Sequence, residues 1–151
     1  MIIREAKEID QDCILRLVED VQKDLNYGDL MDNFLNVYSI DRCIVAEPIN
    51  DNKGPLIGIS TWGKIRRNFL VSHWNIIHPD YQQKGYGSKL VLAKYNKFTS
   101  MPIDCFYIDT PHKFWMGWHE RYGFIKWSRI SFKTKNQFGD LGYYQRMKKI
   151  L

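Results

Sequence analysis

A proline followed by two closely spaced glycines interrupts the middle of the chain, between an apolar run and a helical stretch. The apolar run Phe69–Ile77 has the length and composition of a strand, and Pro79 stops it. Residues Gln82–Gly87 then form a glycine-containing turn, and the apolar residues from Leu90 to Phe98 recur at helical spacing. The sequence therefore predicts a strand, a turn and a helix in direct succession.

This succession becomes a crossover unit because another strand, Ile103–Ile108, follows the helix. Such a unit makes its two strands parallel and brings the start of the helix to their carboxyl ends, where ligands bind in open sheets. The first N–H groups of a helix lack an internal partner and lie at the positive end of its dipole, so they hold an anion such as a pyrophosphate well. Gly85 and Gly87 would let the backbone approach the phosphates without a Cβ in the way. Glycines before a helix also occur as plain turn residues, and that interpretation stays open.

The remaining patterns predict strands and helices on both sides of this unit. The order is strand, two helices, three strands, helix, strand, helix and two strands, which indicates an α/β fold with a mixed sheet and helices on both faces. No linker or repeat separates these elements, so we expect a single domain over residues 1–151. The other predicted strands are Ile2–Glu5, Cys43–Ala46, Leu56–Ile65, Trp127–Lys133 and Tyr143–Lys149, and the other helices carry Ile14–Leu25, Leu30–Tyr38 and Thr110–Tyr122.

The composition is that of a folded chain, with 44% hydrophobic and 26% charged residues. A formal net charge of +5 favours acidic partners such as phosphates, but the basic residues are scattered and give no nucleic-acid signature. The cysteines Cys13, Cys43 and Cys105 have neither CxxC nor metal-ligand spacing, which is typical of a reduced intracellular protein. No signal core or bilayer-spanning run is present. We therefore expect a soluble cytoplasmic protein with no metal site and no membrane partner.

The turn and its surroundings resemble a known family. Pro79-x-Tyr81-Gln82-x-x-Gly85-x-Gly87 is similar to the coenzyme A signature of the GNAT superfamily, Gln/Arg-x-x-Gly-x-Gly/Ala. The order of elements resembles the GNAT order over nearly the whole chain, and Trp118–Phe124 resembles a later helix motif that ends in Gly-Phe. The resemblance implies a mostly antiparallel sheet of about seven strands with one splayed parallel pair. It also implies an N-acetyltransferase that transfers an acetyl group directly from acetyl-CoA to an amine.

The resemblance assigns a set of residues to coenzyme binding. It implies that the backbone of Ile76 and Ile77 pairs with the pantetheine arm. His112 and Trp115 stand where the family often has an asparagine and a small residue, and both would lie beside the coenzyme. The backbone amides expected to bind the pyrophosphate are those of Gln82, Gln83, Lys84, Gly85, Tyr86, Gly87 and Ser88.

The catalytic residues follow the family pattern less closely. The family's proton donor is commonly a tyrosine four residues before the glycine of the Gly-Phe pair, and His119 stands there. An imidazolium is a competent acid near neutral pH, although a histidine on this Trp-rich helix is also expected as a packing residue. The family's general base is often a glutamate on the central strand, where His73 is the best replacement and a structural role is the alternative. Asp109, at the end of the next strand, is the second candidate for the base.

The sequence does not determine which amine accepts the acetyl group. A small-molecule amine and a protein amine are both consistent with the sequence, and Tyr27, Phe34 and Tyr38 suggest a partly apolar acceptor groove. Proteins of this family are often dimers, so a homodimer is one option for this chain, whose oligomeric state the residues do not indicate. Because the usual tyrosine and glutamate are missing, a non-catalytic module of the same fold, binding a protein or an anionic polymer, is the alternative function.

Overall fold

The computed structural model describes residues 1–26, 28–49, 55–110, 112–131, 141 and 143–151. Tyr27 and the predicted strand end at residues 132–133 lie outside them. Within the described ranges the strands form one sheet in the order β1-β2-β3-β4-β5-β7-β6. The strands are β1 Ile2–Glu5, β2 Cys43–Glu47, β3 Gly58–Arg66, β4 Phe69–Ile77, β5 Cys105–Thr110, β6 Ile125–Ser131 and β7 Tyr143–Ile150. The helices are α1 Gln11–Leu25, α2 Leu30–Leu35, α3 Tyr86–Thr99 and α4 Lys113–Arg121.

The sheet is mixed, as predicted. β4 and β5 are parallel, whereas β1 pairs with β2, β2 with β3, and β7 with both β5 and β6 in antiparallel orientation. The β4–β5 ladder runs from the pair Phe69 and Cys105 to the pair Ser72 and Ile108. β4 extends beyond this ladder, from His73 to Ile77, toward the predicted ligand turn. The parallel pair of the crossover unit is thus confirmed.

The chain divides into two compact units, which we describe separately. The first unit comprises Met1–Gly63 and His73–Ser100, and the second comprises Lys64–Ser72 and Met101–Leu151. That residues 1–151 form a single domain stays a prediction. Among the described residues, no helix combines the length and the hydrophobicity that crossing a bilayer requires.

The core of the first unit forms where α1 and α2 pack on the sheet. The buried residues of α1 recur at helical spacing, so one face of the helix is covered. A second buried stripe runs along α3, through Leu90, Val91, Tyr95 and Phe98. The cluster under α1 and α2 contains Ile14, Leu17, Val18, Val21, Leu30, Phe34, Cys43, Val45, Leu56, Ile59 and Ile76.

The core of the second unit is built around β5, β7 and α4. Phe106 and Met147 are fully buried on these strands, and Trp118 and Phe124 are buried beside them. The rings of Phe106 and Phe124 meet edge to face, with centroids 5.1 Å apart. Large aromatic side chains therefore fill the core of this unit.

Candidate functional site

The β4–α3 turn, His78–Gly85, has an unusual backbone. A 3-10 turn at Pro79–Tyr81 follows β4 directly, and the Gln82 N–H donates to the Pro79 carbonyl at 3.2 Å. Gln83 and Gly85 then take the left-handed conformation, with φ of 59° and 78°. Residues other than glycine rarely adopt this conformation, and such residues concentrate at functional sites. The turn is therefore bent sharply at two positions immediately before α3.

The start of α3 presents free backbone donors. The Lys89 N–H donates to the Gly85 carbonyl at 3.3 Å, which is the first hydrogen bond of the helix, so the N–H groups of Tyr86, Gly87 and Ser88 have no acceptor within it. The first turn carries no acidic side chain. Since the positive end of the helix dipole lies here as well, this turn is suited to bind an anion.

Two exposed lysines flank these donors. Lys84 Nζ lies 5.7 Å from the centre of the Tyr81 ring, and Lys89 Nζ lies 5.9 Å from the centre of the Tyr86 ring. Lys84 Nζ also donates to the Asp80 carbonyl at 2.6 Å. The lysines add positive potential on both sides of the helix start.

Hydrogen bonds tie the turn back to the strands. The Gln82 side-chain amide donates to the Ile77 carbonyl at 3.1 Å, and the His78 N–H donates to the Ile57 carbonyl at 2.9 Å. His78 Nδ1 accepts from the Asp80 N–H at 3.2 Å, which caps the 3-10 turn. The signature residue Gln82 therefore braces the end of β4 with its side chain, and its backbone N–H, which was expected to bind the pyrophosphate, donates to the Pro79 carbonyl instead.

The glycines near the turn differ in whether a Cβ would fit at their positions. Space around a Cβ on Gly85 is open, but its positive φ disfavours a side chain. A Cβ on Gly87 would meet Ile77 Cγ1 at 3.6 Å, an ordinary contact. A Cβ on Gly58 would lie 2.5 Å from Ile77 Cδ1 and 2.6 Å from the Ile76 carbonyl oxygen. Gly58 is thus required beside the end of β4, and its only sequence signal was a glycine at the start of a strand pattern.

Sequence reasoning missed a buried lysine under this face of β4. No part of Lys94 is exposed, and its Nζ donates to Asn75 Oδ1 at 2.8 Å and to the Thr61 carbonyl at 3.3 Å. The Ser60 hydroxyl donates to the same Asn75 oxygen. Burial lowers the pKa of the Lys94 amine to about 7. The available signal was its position, four residues after Leu90 on the apolar stripe of α3.

His73 and the proposed acceptor residues lie in the first unit too. His73 is half-buried on β4, two residues before Asn75. Phe34 is fully buried and stacks on Tyr38 with ring centroids 4.7 Å apart, so Phe34 is a core residue and cannot line an acceptor groove. The suggestion that Phe34 contacts the acceptor was wrong, because the apolar stripe of α2 faces the core.

His119 lies inside an aromatic cluster of the second unit. Its side chain is 1% exposed, and its ring centre is 5.3 Å from that of Trp118 and 5.2 Å from that of Phe124. The N–H groups of Tyr122 and Phe124 donate to the His119 carbonyl, which closes α4 before Gly123, whose φ is 86°. Packing by neighbouring rings thus determines the orientation of the imidazole.

The other predicted residues of the second unit have structural partners. Both carboxylate oxygens of Asp109 accept hydrogen bonds from Arg146, each at 2.8 Å, and the Arg146 guanidinium lies over the Tyr107 ring. His112 precedes α4 and its carbonyl accepts from the Met116 N–H at 3.0 Å, while the Trp115 and Trp118 ring centres are 5.5 Å apart.

Among the described residues, no group of His, Cys, Asp or Glu side chains has the arrangement of a metal site. Cys13 is exposed, whereas Cys43 and Cys105 are buried.

No protein-family model and no curated protein matches this sequence. Solved structures do match its fold. A ribosomal-protein-alanine N-acetyltransferase from Brucella melitensis superposes with a TM-score of 0.70 at 16% identity, over 100% of both chains. A ribosomal-protein alanine N-acetyltransferase from Escherichia coli gives 0.74 at 11%, over 99% of this chain and 92% of the other. A Bacillus subtilis acetyltransferase in complex with CoA gives 0.65 at 17%, over 99% and 97%.

The strand order, the parallel pair of β4 and β5, and the helix that begins at the carboxyl end of β4 define an open mixed α/β sheet with a sharp turn between β4 and α3. The superpositions cover 92% to 100% of the compared acetyltransferases. The chain has the GNAT fold, as its signature predicted.

Proposed function

We propose that this protein is an N-acetyltransferase that uses acetyl-CoA and transfers the acetyl group directly to an amine. The observation that carries the proposal is the β4–α3 turn, where left-handed Gly85 leads into a helix start with free N–H donors. The compared structures support it, because they are acetyltransferases and one of them is a complex with CoA. The acceptor is an amine of a small molecule or of a protein.

The residues of the turn fit a pyrophosphate. The backbone amides from Gln83 to Ser88 are the proposed ligands, since the Gln82 N–H already donates to the Pro79 carbonyl, and the open space at Gly85 leaves room for the phosphate oxygens. Hydrogen bonds to a charged group contribute roughly 1.5–3 kcal/mol each, so several amides together give substantial affinity. Ile76 and Ile77 are the proposed partners of the pantetheine arm, although the Ile77 carbonyl already accepts from Gln82.

When bound, acetyl-CoA supplies the acetyl group as a thioester. A C–N bond forms to the amine and the C–S bond breaks, so the amine must lose a proton and the sulfur must gain one. We assign the proton of the amine to His73, which is half-buried on β4. Asp109 is less suited as a base because both of its carboxylate oxygens already accept hydrogen bonds from Arg146.

We assign the proton for the sulfur to His119. Its 1% exposure means that the sulfur must approach the aromatic cluster of α4 for this transfer to occur. Tyr122, which is 39% exposed on the same helix end, is the alternative donor. Replacing His119 and Tyr122 separately by Gln and Phe, and measuring turnover against pH, distinguishes them because only loss of the true donor removes the basic limb of the profile.

The first experiment is calorimetric titration of the protein with acetyl-CoA. Gly85→Asp places a carboxylate and a strained side chain in the turn, so binding should be abolished. Gly28→Asp is the matched control, because Gly28 is exposed, has open space around it and does not have a positive φ. Equal binding by Gly85→Asp and the parent would sink the pyrophosphate assignment.

A second candidate is a non-catalytic module with the same fold. Two observations favour it: His119 is enclosed by aromatic rings, and Asp109 is engaged by Arg146. Acetyl-CoA binding without turnover on any member of an amine panel would support this candidate. Transfer of labelled acetyl to any of those amines would exclude it.

A further inference from the structure

The side-chain amide of Asn75 is held by two donors. Its Oδ1 accepts from Lys94 Nζ at 2.8 Å and from the Ser60 hydroxyl. The Lys94 amine carries N–H donors in both its charged and its neutral form, and with the Ser60 hydroxyl also donating, the amide atom that faces both is the oxygen. Because the amide is planar, the Nδ2 group is directed away from both of these partners.

Asn75 lies on the face of β4 that α3 covers. Side chains alternate along a strand, so Asn75 and Ile77 share this face. Ile77 Cγ1 lies 3.6 Å from the position of a Cβ on Gly87, at the start of α3, and Lys94 of the same helix reaches Asn75. This face of β4 therefore contacts α3 at the first turn of the helix and again at Lys94.

The coenzyme of the proposed function would pass along this strand, and the present inference rests on that function. With the pyrophosphate at the start of α3, the pantetheine arm runs back beside β4. Asn75 is two residues, roughly 6.6 Å, from Ile77 along the strand. The arm carries amide carbonyls and ends in the thioester carbonyl, all of which are hydrogen-bond acceptors.

We propose that Asn75 Nδ2 donates a hydrogen bond to a carbonyl oxygen of the bound acyl-coenzyme, and that Lys94 and Ser60 are positioning residues that hold the amide in this orientation. Asn75 is only half-buried, so its amide is accessible to a ligand. A lysine is an expensive way to fill the apolar stripe of α3, since burying an ammonium is unfavourable and a methionine has similar length. Its role in orienting Asn75 accounts for an amine at this position.

Asn75→Asp is the sharpest test. The variant keeps an acceptor oxygen toward Lys94 and Ser60 and adds an ion pair with Lys94, so a purely structural role predicts an unchanged or more stable protein. Our proposal predicts weaker coenzyme binding, because an oxygen replaces the donor that faces the carbonyl. Asn96→Asp, at an exposed position of α3, is the control for the added negative charge.

The titration uses both CoA and acetyl-CoA as ligands. Loss of about tenfold or more in affinity for both ligands would place the bond on a pantetheine amide carbonyl, and a loss confined to acetyl-CoA would place it on the thioester carbonyl. Unchanged affinity of folded Asn75→Asp for both ligands would overturn the inference. If the parent bound neither ligand, the proposed function itself would fail, which is a separate result.

Lys94→Met provides a second measurement should Asn75→Asp not fold, as judged by circular dichroism. Without the amine, the Asn75 amide loses the Lys94 hydrogen bond that helps to fix its orientation. We expect a loss of about threefold or more in affinity for acetyl-CoA, corresponding to one weakened neutral hydrogen bond. Wild-type affinity in a folded Lys94→Met protein would show that Lys94 does not position Asn75.

Discussion

Lys94 Nζ lies 2.8 Å from Asn75 Oδ1, and no part of this lysine is exposed to solvent. The two residues come from α3 and β4, and the Lys94 amine also donates to the Thr61 carbonyl of β3 at 3.3 Å. Burial disfavours the charged form of the amine, which is why the pKa of Lys94 falls from 10.5 to about 7. The neighbouring titratable group is the Cys43 thiol on β2.

This lysine makes stability depend on pH. The unfolded chain keeps its lysine proton up to pH 10.5, whereas the folded chain loses it near pH 7, so the unfolded state binds more protons between these values and stability rises with pH. From about pH 7 to about pH 8.5, the free energy of unfolding should rise by roughly 1.5 kcal/mol relative to Lys94→Met. Urea unfolding of both proteins over this window measures it.

The pH range of this experiment ends at about pH 8.5 because ionisation of the Cys43 thiol also makes stability depend on pH above it. Burial raises the pKa of the Cys43 thiol to about 12, so the thiol stays neutral in the folded state while the unfolded thiol ionises near pH 9.0. Stability from this group is therefore lost above about pH 9. A parallel pH dependence of the parent and Lys94→Met below that pH would contradict the neutral buried lysine.

The two signature glycines should respond differently to alanine. Gly85→Ala forces a side chain into a backbone with φ of 78°, which costs roughly 1–2 kcal/mol. Gly87→Ala adds a Cβ at ordinary contact distance from Ile77, so neither stability nor acetyl-CoA affinity should change appreciably. Thermal denaturation and calorimetric titration of both variants check this. Equal destabilisation by the two changes would be inconsistent with the backbone described for the turn.

Gly58→Ala should disturb the end of β4. The added Cβ would overlap the Ile76 carbonyl oxygen at 2.6 Å, and a backbone atom cannot move aside as a flexible side chain does. We expect a loss of about 1–3 kcal/mol of stability, measured by urea unfolding, and weaker acetyl-CoA binding. Gly28→Ala, at an open and exposed position, is the control and should leave both properties near the parent values.

The pair of Asp109 and Arg146 should be structural. Its side chains are 29% and 28% exposed and joined by two hydrogen bonds of 2.8 Å, so a double-mutant cycle with Asp109→Asn and Arg146→Gln should give a coupling of about 1 kcal/mol. Chemical denaturation of the four proteins measures it. Once an acceptor is found, loss of turnover in Asp109→Asn beyond about tenfold, at unchanged stability, would instead restore Asp109 as a base.

Local patterns in the sequence were sufficient for most of the elements. The strand Phe69–Ile77 was predicted at both of its ends, because an apolar run between polar turns and a following proline defines a strand without reference to the rest of the chain. The glycines and the helical spacing after them likewise predicted the turn and α3, although the helix begins at Tyr86 within the predicted turn. The signature also led to the GNAT fold.

The roles of individual polar residues were decided by tertiary structure. Lys94 meets Asn75, 19 positions earlier, and Thr61, 33 positions earlier, only because α3 packs on the middle of the sheet. His119 is buried because rings from its own helix and from Phe124 close around it. The periodicity of a sequence indicates which face of a helix or strand is apolar. It does not indicate which distant residues pack against that face. The sequence by itself therefore determined the strands, the helices and the turn before α3, whereas long-range packing decided which polar groups are buried, paired and available for chemistry.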